Sequence, residues 1–298
     1  MPYLPWLDIA KIIGIFFVIY GHGGQAGSAT PFIYSFHMPL FFFISGMLYR
    51  PMTFSETLRK DLRTLVVPYL LLNLLCWQPT LWLHLLRGTC TTEYLWGCIG
   101  GTLMGLGYNV DGFTPISTPC WFIYALFLAR LIVSLLPSKG KWGMVFLSAA
   151  AIGATLVLQH YNIDTYVPID SAILALPFLC WGYVLRDWVT YSVETFNYKL
   201  WFKIGFFLST GMMWYLLVVF NGRVDTNTCN VGNYIVFYYV AALCAIWLIL
   251  KVSCLCTPMD VKQIGGGKKS FQMHPRNSGV QPACDSLGTE IPASAPTD

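Results

Sequence analysis

Charge is what this sequence has least of. Asp, Glu, Lys and Arg make up 11% of its 298 residues, against 56% hydrophobic residues and a mean hydropathy of +0.58. A soluble domain carries roughly 25% charged residues because its surface must face water. Lipid therefore has to solvate much of this chain. The net charge of +4 is modest and is spread over short loops. No basic face of the kind a nucleic-acid partner needs can be assembled from it. Zinc-type cysteine pairs are missing: the ten cysteines give only a lone CxC, Cys254 and Cys256. Cys90, Cys98, Cys120 and Cys229 fall in or beside expected outer loops. A disulfide is open to them, but free buried thiols are the preferred reading. No GxGxxG, P-loop, HExxH or GxSxG motif occurs, and no 20–50-residue repeat is evident. A cleaved leader is not expected either. Asp8 and Lys11 edge the first apolar stretch, His22 lies inside it, and no small-residue cleavage site follows cleanly.

What the chain has instead is long apolar runs and many rings, with 11 Trp, 17 Tyr and 20 Phe. A spanning helix needs about 20 mostly apolar residues. Eight runs qualify: Ile9–Ala26, Pro31–Tyr49, Thr64–Leu86, Pro119–Leu136, Trp142–His160, Ser171–Val189, Trp201–Phe220 and Val231–Leu250. Helices are expected rather than strands, because each run is long and its backbone polar groups must be satisfied within lipid. The fold class is thus an all-α, polytopic transmembrane bundle.

Loop charges orient it. Arg50, Arg59, Lys60 and Arg63 follow the second run. Lys139 and Lys141 follow the fourth, and Arg186, Lys199 and Lys203 the sixth. Lys251, Lys262, Lys268 and Lys269 follow the eighth, while the alternate loops hold only Arg87 and Arg223. Positive loops stay cytoplasmic, so both termini are expected inside. Tyr94–Leu106 is apolar but short and glycine-rich. Counting it as a span would invert every later loop, so it reads as an interfacial or re-entrant piece of an outer loop. After residue 251 the character changes. Residues 252–298 hold a Gly triplet, Lys268-Lys269 and five prolines. The expected organisation is a membrane domain over 1–251 and a polar, disordered cytoplasmic tail over 252–298.

Ionisable residues inside a span are costly and mark function by default. Lys11 and His22 share the first run, ~16 Å apart along a helix axis, and His37 lies roughly 9 Å into the second. A short connection makes the two helices antiparallel neighbours, so His22 and His37 are expected at one depth near the outer face. Imidazole suits group transfer because it takes and gives protons near neutral pH. The blander alternative is a hydrogen-bonded packing histidine, weightier for His37 than for His22. His84 and His160 read as interfacial, and His274 carries no signal. No metal site is expected, since no carboxylate or cysteine accompanies the histidines at ligand spacing. Arg59, Lys60 and Arg63 are topology anchors and also a candidate cytoplasmic site for a phosphate.

These residues carry a family resemblance. LDIAKIIGIFFVIYGH (Leu7–His22) resembles the first helix of integral-membrane acyltransferases of the acyltransferase 3 type, with Asp8, Lys11 and His22 at matching spacing. FIYSFHMPLFFFISGMLYR (Phe32–Arg50), KDLRTLVVPY (Lys60–Tyr69) and CWFIYALFLARL (Cys120–Leu131) resemble later elements of the same family, with a flavour of its fucose 4-O-acetylase-like branch. The resemblance implies a cytoplasmic acyl-CoA donor, acetyl-CoA above all, and a carbohydrate acceptor outside a bacterial cytoplasmic membrane. It places no bound cofactor. Lys60, Arg63 and Arg59 would hold the donor phosphates, and His37 would face the acceptor. His22 would act as base or transient acyl carrier, with Lys11 and Asp8 fixing the inner end of the path. The family has about ten helices, two more than the eight found here, and QIGGGKKSFQMH (Gln263–His274) faintly resembles the segment before its last helix. A truncated or inactive acyltransferase is therefore one alternative. A transporter of a sugar or lipid-linked sugar is the other.

Overall fold

A computed structural model describes residues 3–24, 26–136, 140–163, 165, 167–195 and 198–257. Expectations that rest on Lys139, Lys262, Lys268, Lys269 and His274, and on the tail from residue 258, lie outside them.

The described chain is helical. In order it forms α1 (Pro5–His22), α2 (Thr30–Tyr34), α3 (His37–Met47), α4 (Phe54–Asp61), α5 (Val67–Leu86), α6 (Thr92–Met104) and α7 (Trp121–Ser134). Then come α8 (Lys141–His160), α9 (Ile169–Glu194), α10 (Leu200–Asn221) and α11 (Ile235–Cys256). Among the described residues six helices are long and apolar enough to cross a membrane, and Thr118–Ser134 is a shorter apolar one. All eight expected runs are thus helical, but the second and fourth are shorter than their hydropathy suggested.

The second run breaks at Ser35-Phe36. Phe36 has φ −137° and ψ −24°, outside the helical region. The Ser35 hydroxyl donates to Phe32 O at 2.7 Å, and the Trp214 indole N–H of α10 donates to the Ser35 oxygen at 3.0 Å. Local side-chain bonds of this kind offer the backbone an alternative to the helical ladder.

The last run is shifted the other way. Asn221 draws Val231 O and Tyr234 N–H onto its side chain at 2.7 Å each, so α11 starts only at Ile235. It continues past Lys251, which the hydropathy pattern puts in a loop. Lys251 is buried, donates to Ser192 O and lies 4.9 Å from the Trp247 ring centre. That partner lets a charged residue remain inside the bundle.

Phe54–Leu86 is one 33-residue helical rod, about 50 Å long and so longer than a hydrocarbon core. A capping box opens it: Thr53 Oγ1 accepts from Glu56 N–H at 3.3 Å, and Thr53 N–H donates to Glu56 Oε2 at 2.9 Å. Its middle is a π-turn over Leu62–Val66, where Val67 N–H reaches back to Leu62 O. Pro68 explains the wide turn, since its ring cannot donate and would strike the carbonyl of Thr64 in a regular α-helix.

The core sits around α9, 67% of whose apolar window is buried, against 11% for the windows of Phe54–Leu86 and of α10. Small residues allow the closest approach. A Cβ at Gly46 of α3 would run into Leu179 O of α9, and one at Gly182 of α9 into Phe43 O of α3. The outer faces of α5 and α10 stay apolar and exposed, as lipid-facing helices should be. The segment Tyr94–Leu106 becomes α6, whose Gly97 and Gly101 lie against the carbonyls of Gly112 and Thr114.

Candidate functional site

Three rings gather where α1 ends and α3 begins. His22 is the last residue of α1, and the chain then turns through Gly23 and Gly24 (φ +71°). That left-handed conformation is one that glycine adopts without steric cost. His37 is the first residue of α3 and is 2% exposed. The His22 and His37 ring centres lie 6.1 Å apart, and Tyr34 stands 5.8 Å from His22 and 4.9 Å from His37.

The break before α3 fixes one of these rings. Ile33 O accepts from Phe36 N–H at 3.2 Å, and His37 Nδ1 lies 2.8 Å from the same oxygen. A carbonyl only accepts, so Nδ1 carries the proton and the neutral ring keeps its lone pair on Nε2. His22 differs: its Nε2 is buried and has no hydrogen-bond partner among the described residues. A buried polar atom without a partner is unusual and calls for an explanation.

The loop between α10 and α11 adds a residue that sequence reasoning missed. Asp225 is its only acidic residue, and its carboxylate lies within electrostatic reach of His22 and Tyr34. The loop is tightly tied. Asp225 and Asn230 exchange backbone hydrogen bonds at 2.8 and 2.9 Å, Asn227 N–H donates to Asp225 Oδ1 at 3.0 Å, and Ser171 of α9 donates to Asn227 O at 2.9 Å. Burial pushes the Asp225 carboxyl up, against the pull of the Asn227 N–H, Arg223 and His22. Tyr34 and Arg223 were likewise not singled out. The sequence offered only a weak signal for Asp225, a single acid two residues from Arg223 in a short polar loop between apolar helices.

Asp8 and Lys11 are placed apart from this cluster. Lys11 Nζ pairs with Asp8 Oδ1 at 2.9 Å, and the Tyr3 hydroxyl donates to Asp8 Oδ2 at 2.6 Å. Both are half-buried, and the helical rise sets Lys11 ~16 Å from His22 along α1. The structure therefore joins the two as a pair but does not bring them to the histidines.

Arg59, Lys60 and Arg63 do come together. With Ser55, Glu56 and Thr64 they line an open groove of about 390 Å³. Arg59 and Arg63 are four residues apart on one helical face. Two guanidinium groups and an ammonium around one groove suit a multiply charged anion.

A family model described as an acyltransferase domain matches residues 4–258. The nodulation protein NolL of Mesorhizobium japonicum is 29% identical over 201 residues, covering 60% of this chain and 47% of NolL. The chain thus spans about half the length of the curated relative it matches. No solved structure matches. The family match runs from just before α1 to just beyond α11, and the chain belongs to the acyltransferase domain family.

Proposed function

We propose that the protein transfers an acyl group, acetyl above all, from acyl-CoA to a hydroxyl of a carbohydrate at the outer face of a bacterial cytoplasmic membrane. The observation that carries this reading is the buried Nε2 of His22, without a partner among the described residues, beside His37 and within electrostatic reach of Asp225. In the base pathway, Nε2 takes the proton of the acceptor hydroxyl as its oxygen attacks the thioester carbonyl. The tetrahedral adduct collapses, the C–S bond breaks, and the imidazolium gives its proton to the departing sulfur, so that CoA leaves as the thiol and His22 is again neutral. Asp225 favours that imidazolium electrostatically. His37, fixed through Nδ1–H to Ile33 O, offers a lone pair to an acceptor hydroxyl. In the carrier pathway the acyl group rests on His22 before passing to the sugar.

Lys60, Arg63 and Arg59 hold the donor phosphates at the opposite end of the bundle, and the pantetheine arm reaches along α3 toward His22. Asp8 and Lys11 keep the inner end of α1 in place. The acceptor belongs to a surface polysaccharide or its precursor, as for the fucose 4-O-acetylase-like branch. The test is to incubate membranes containing the protein with acetyl-labelled acetyl-CoA and fractionate the products. Label in the polysaccharide or lipid-linked sugar fraction, absent from control membranes, is the expected result. Label absent from every carbohydrate fraction contradicts the reading.

A further inference from the structure

An ion pair is buried in the inner half of the bundle, outside both candidate sites. Arg130 of α7 gives Nε to Asp61 Oδ2 at 2.7 Å and Nη2 to Asp61 Oδ1 at 3.0 Å. Its Nη1 donates to Ser45 Oγ of α3 at 3.3 Å, and its guanidinium lies 5.7 Å from the Tyr49 ring centre. Asp61 is 1% exposed. Neither residue lines the basic groove.

Stability is a poor reason for such a pair. Burying two charges costs solvation, and apolar replacements of similar volume are often neutral or stabilising. Its place in the chain gives a better reason. Asp61 sits between Lys60 and the π-turn that carries Arg63. A π-turn departs from the α-helical register, and such turns recur at functional sites. A two-point carboxylate–guanidinium fork fixes both distance and angle, so it pins the start of that turn against α7. The third bond ties the same guanidinium to α3, whose first residue is His37.

We propose that Arg130 and Asp61 are positioning residues for the acyl donor. They hold Lys60 and Arg63 in phosphate-binding geometry and in register with the helix that carries His37. The proposal rests on the donor-groove reading above. Neither residue touches substrate.

The test is equilibrium binding of labelled acetyl-CoA and of S-acetyl-pantetheine, which lacks the nucleotide phosphates, to membranes with matched amounts of inserted protein. The ratio of the two affinities reports phosphate contacts, and a purely structural role would not move it. Asp61→Leu with Arg130→Met removes both charges together. Arg130→Lys keeps a cation but cannot satisfy both carboxylate oxygens and Ser45 at once. Arg63→Ala is the reference for a lost phosphate contact. The ratio is expected to fall roughly tenfold in Arg63→Ala and in the double variant, and by less in Arg130→Lys. A parental ratio in the inserted double variant, with a reduced ratio in Arg63→Ala, overturns the positioning role alone. A parental ratio in Arg63→Ala as well overturns the donor groove and the proposal with it. If the double variant does not insert, Arg130→Lys decides in the same way: a reduced ratio supports the role and a parental one overturns it.

Discussion

The imidazole rings of His22 and His37 stand 6.1 Å apart, across the gap between the last residue of α1 and the first residue of α3. The two nitrogens that matter are not equivalent. His37 donates Nδ1–H to Ile33 O, whereas the buried Nε2 of His22 has no partner among the described residues. One ring is therefore fixed by the backbone, and the other keeps a buried nitrogen whose hydrogen-bonding capacity the described residues leave unused.

That difference separates the two histidines in an assay. His37→Ala removes an oriented acceptor and should weaken the acceptor KM roughly tenfold while leaving the acetyl-CoA KM unchanged. Steady-state kinetics with each substrate varied in turn checks it. Unchanged values for both substrates make His37 a packing residue.

The contact between α3 and α9 should tolerate no side chain. Gly46→Ala drives a Cβ into Leu179 O and is expected to destabilise by about 1–3 kcal/mol. Gly153→Ala on α8 meets nothing within 4 Å and should be neutral or slightly stabilising. Thermal midpoints of the purified variants in detergent compare the two. Equal midpoints would contradict the close α3–α9 approach.

The helical bundle was legible in the sequence because apolar runs of spanning length have few alternatives in lipid. The basic groove was legible too, since Arg59 and Arg63 are one helical turn apart. The end of α1 at His22 was less so, because hydropathy carried that run on to Ala26 and does not register the turn at Gly23-Gly24. Lys251 misled in the opposite sense: a lysine reads as a loop charge until Ser192 O and the Trp247 ring are seen to receive it. Asp225 was invisible as a site residue because only the folding of the α10–α11 loop brings it toward His22.

Loop orientation is open to direct chemistry. In a background without native cysteines, Thr228→Cys in the α10–α11 loop should react with a membrane-impermeant maleimide added outside. Ser55→Cys beside the basic groove should react only after permeabilisation. The reverse pattern would invert the topology derived from the loop charges.

Asp225 gives a pH signature. Burial raises its carboxyl above the ordinary range, so the folded protein holds that proton more tightly than the unfolded chain does. Folding stability then falls as pH rises from the ordinary carboxylate value through the folded one. Asp225→Asn keeps an oxygen for the Asn227 N–H and removes the titration. Its gain in thermal midpoint over the parent should be small at about pH 4 and grow as pH rises, and kcat should fall with loss of the charge beside His22. A gain that shrinks with rising pH contradicts the assignment.

The central claim is that His22 performs the transfer chemistry, and His22→Ala tests it most directly. Membranes containing equal amounts of inserted parent and variant are given acetyl-labelled acetyl-CoA, and carbohydrate-bound label is counted over time. Positioned acid–base catalysis contributes on the order of a hundred- to ten-thousand-fold, so the variant should show no transfer above control membranes while still binding acetyl-CoA. Parental rates of transfer in a stably inserted His22→Ala variant would contradict the mechanism.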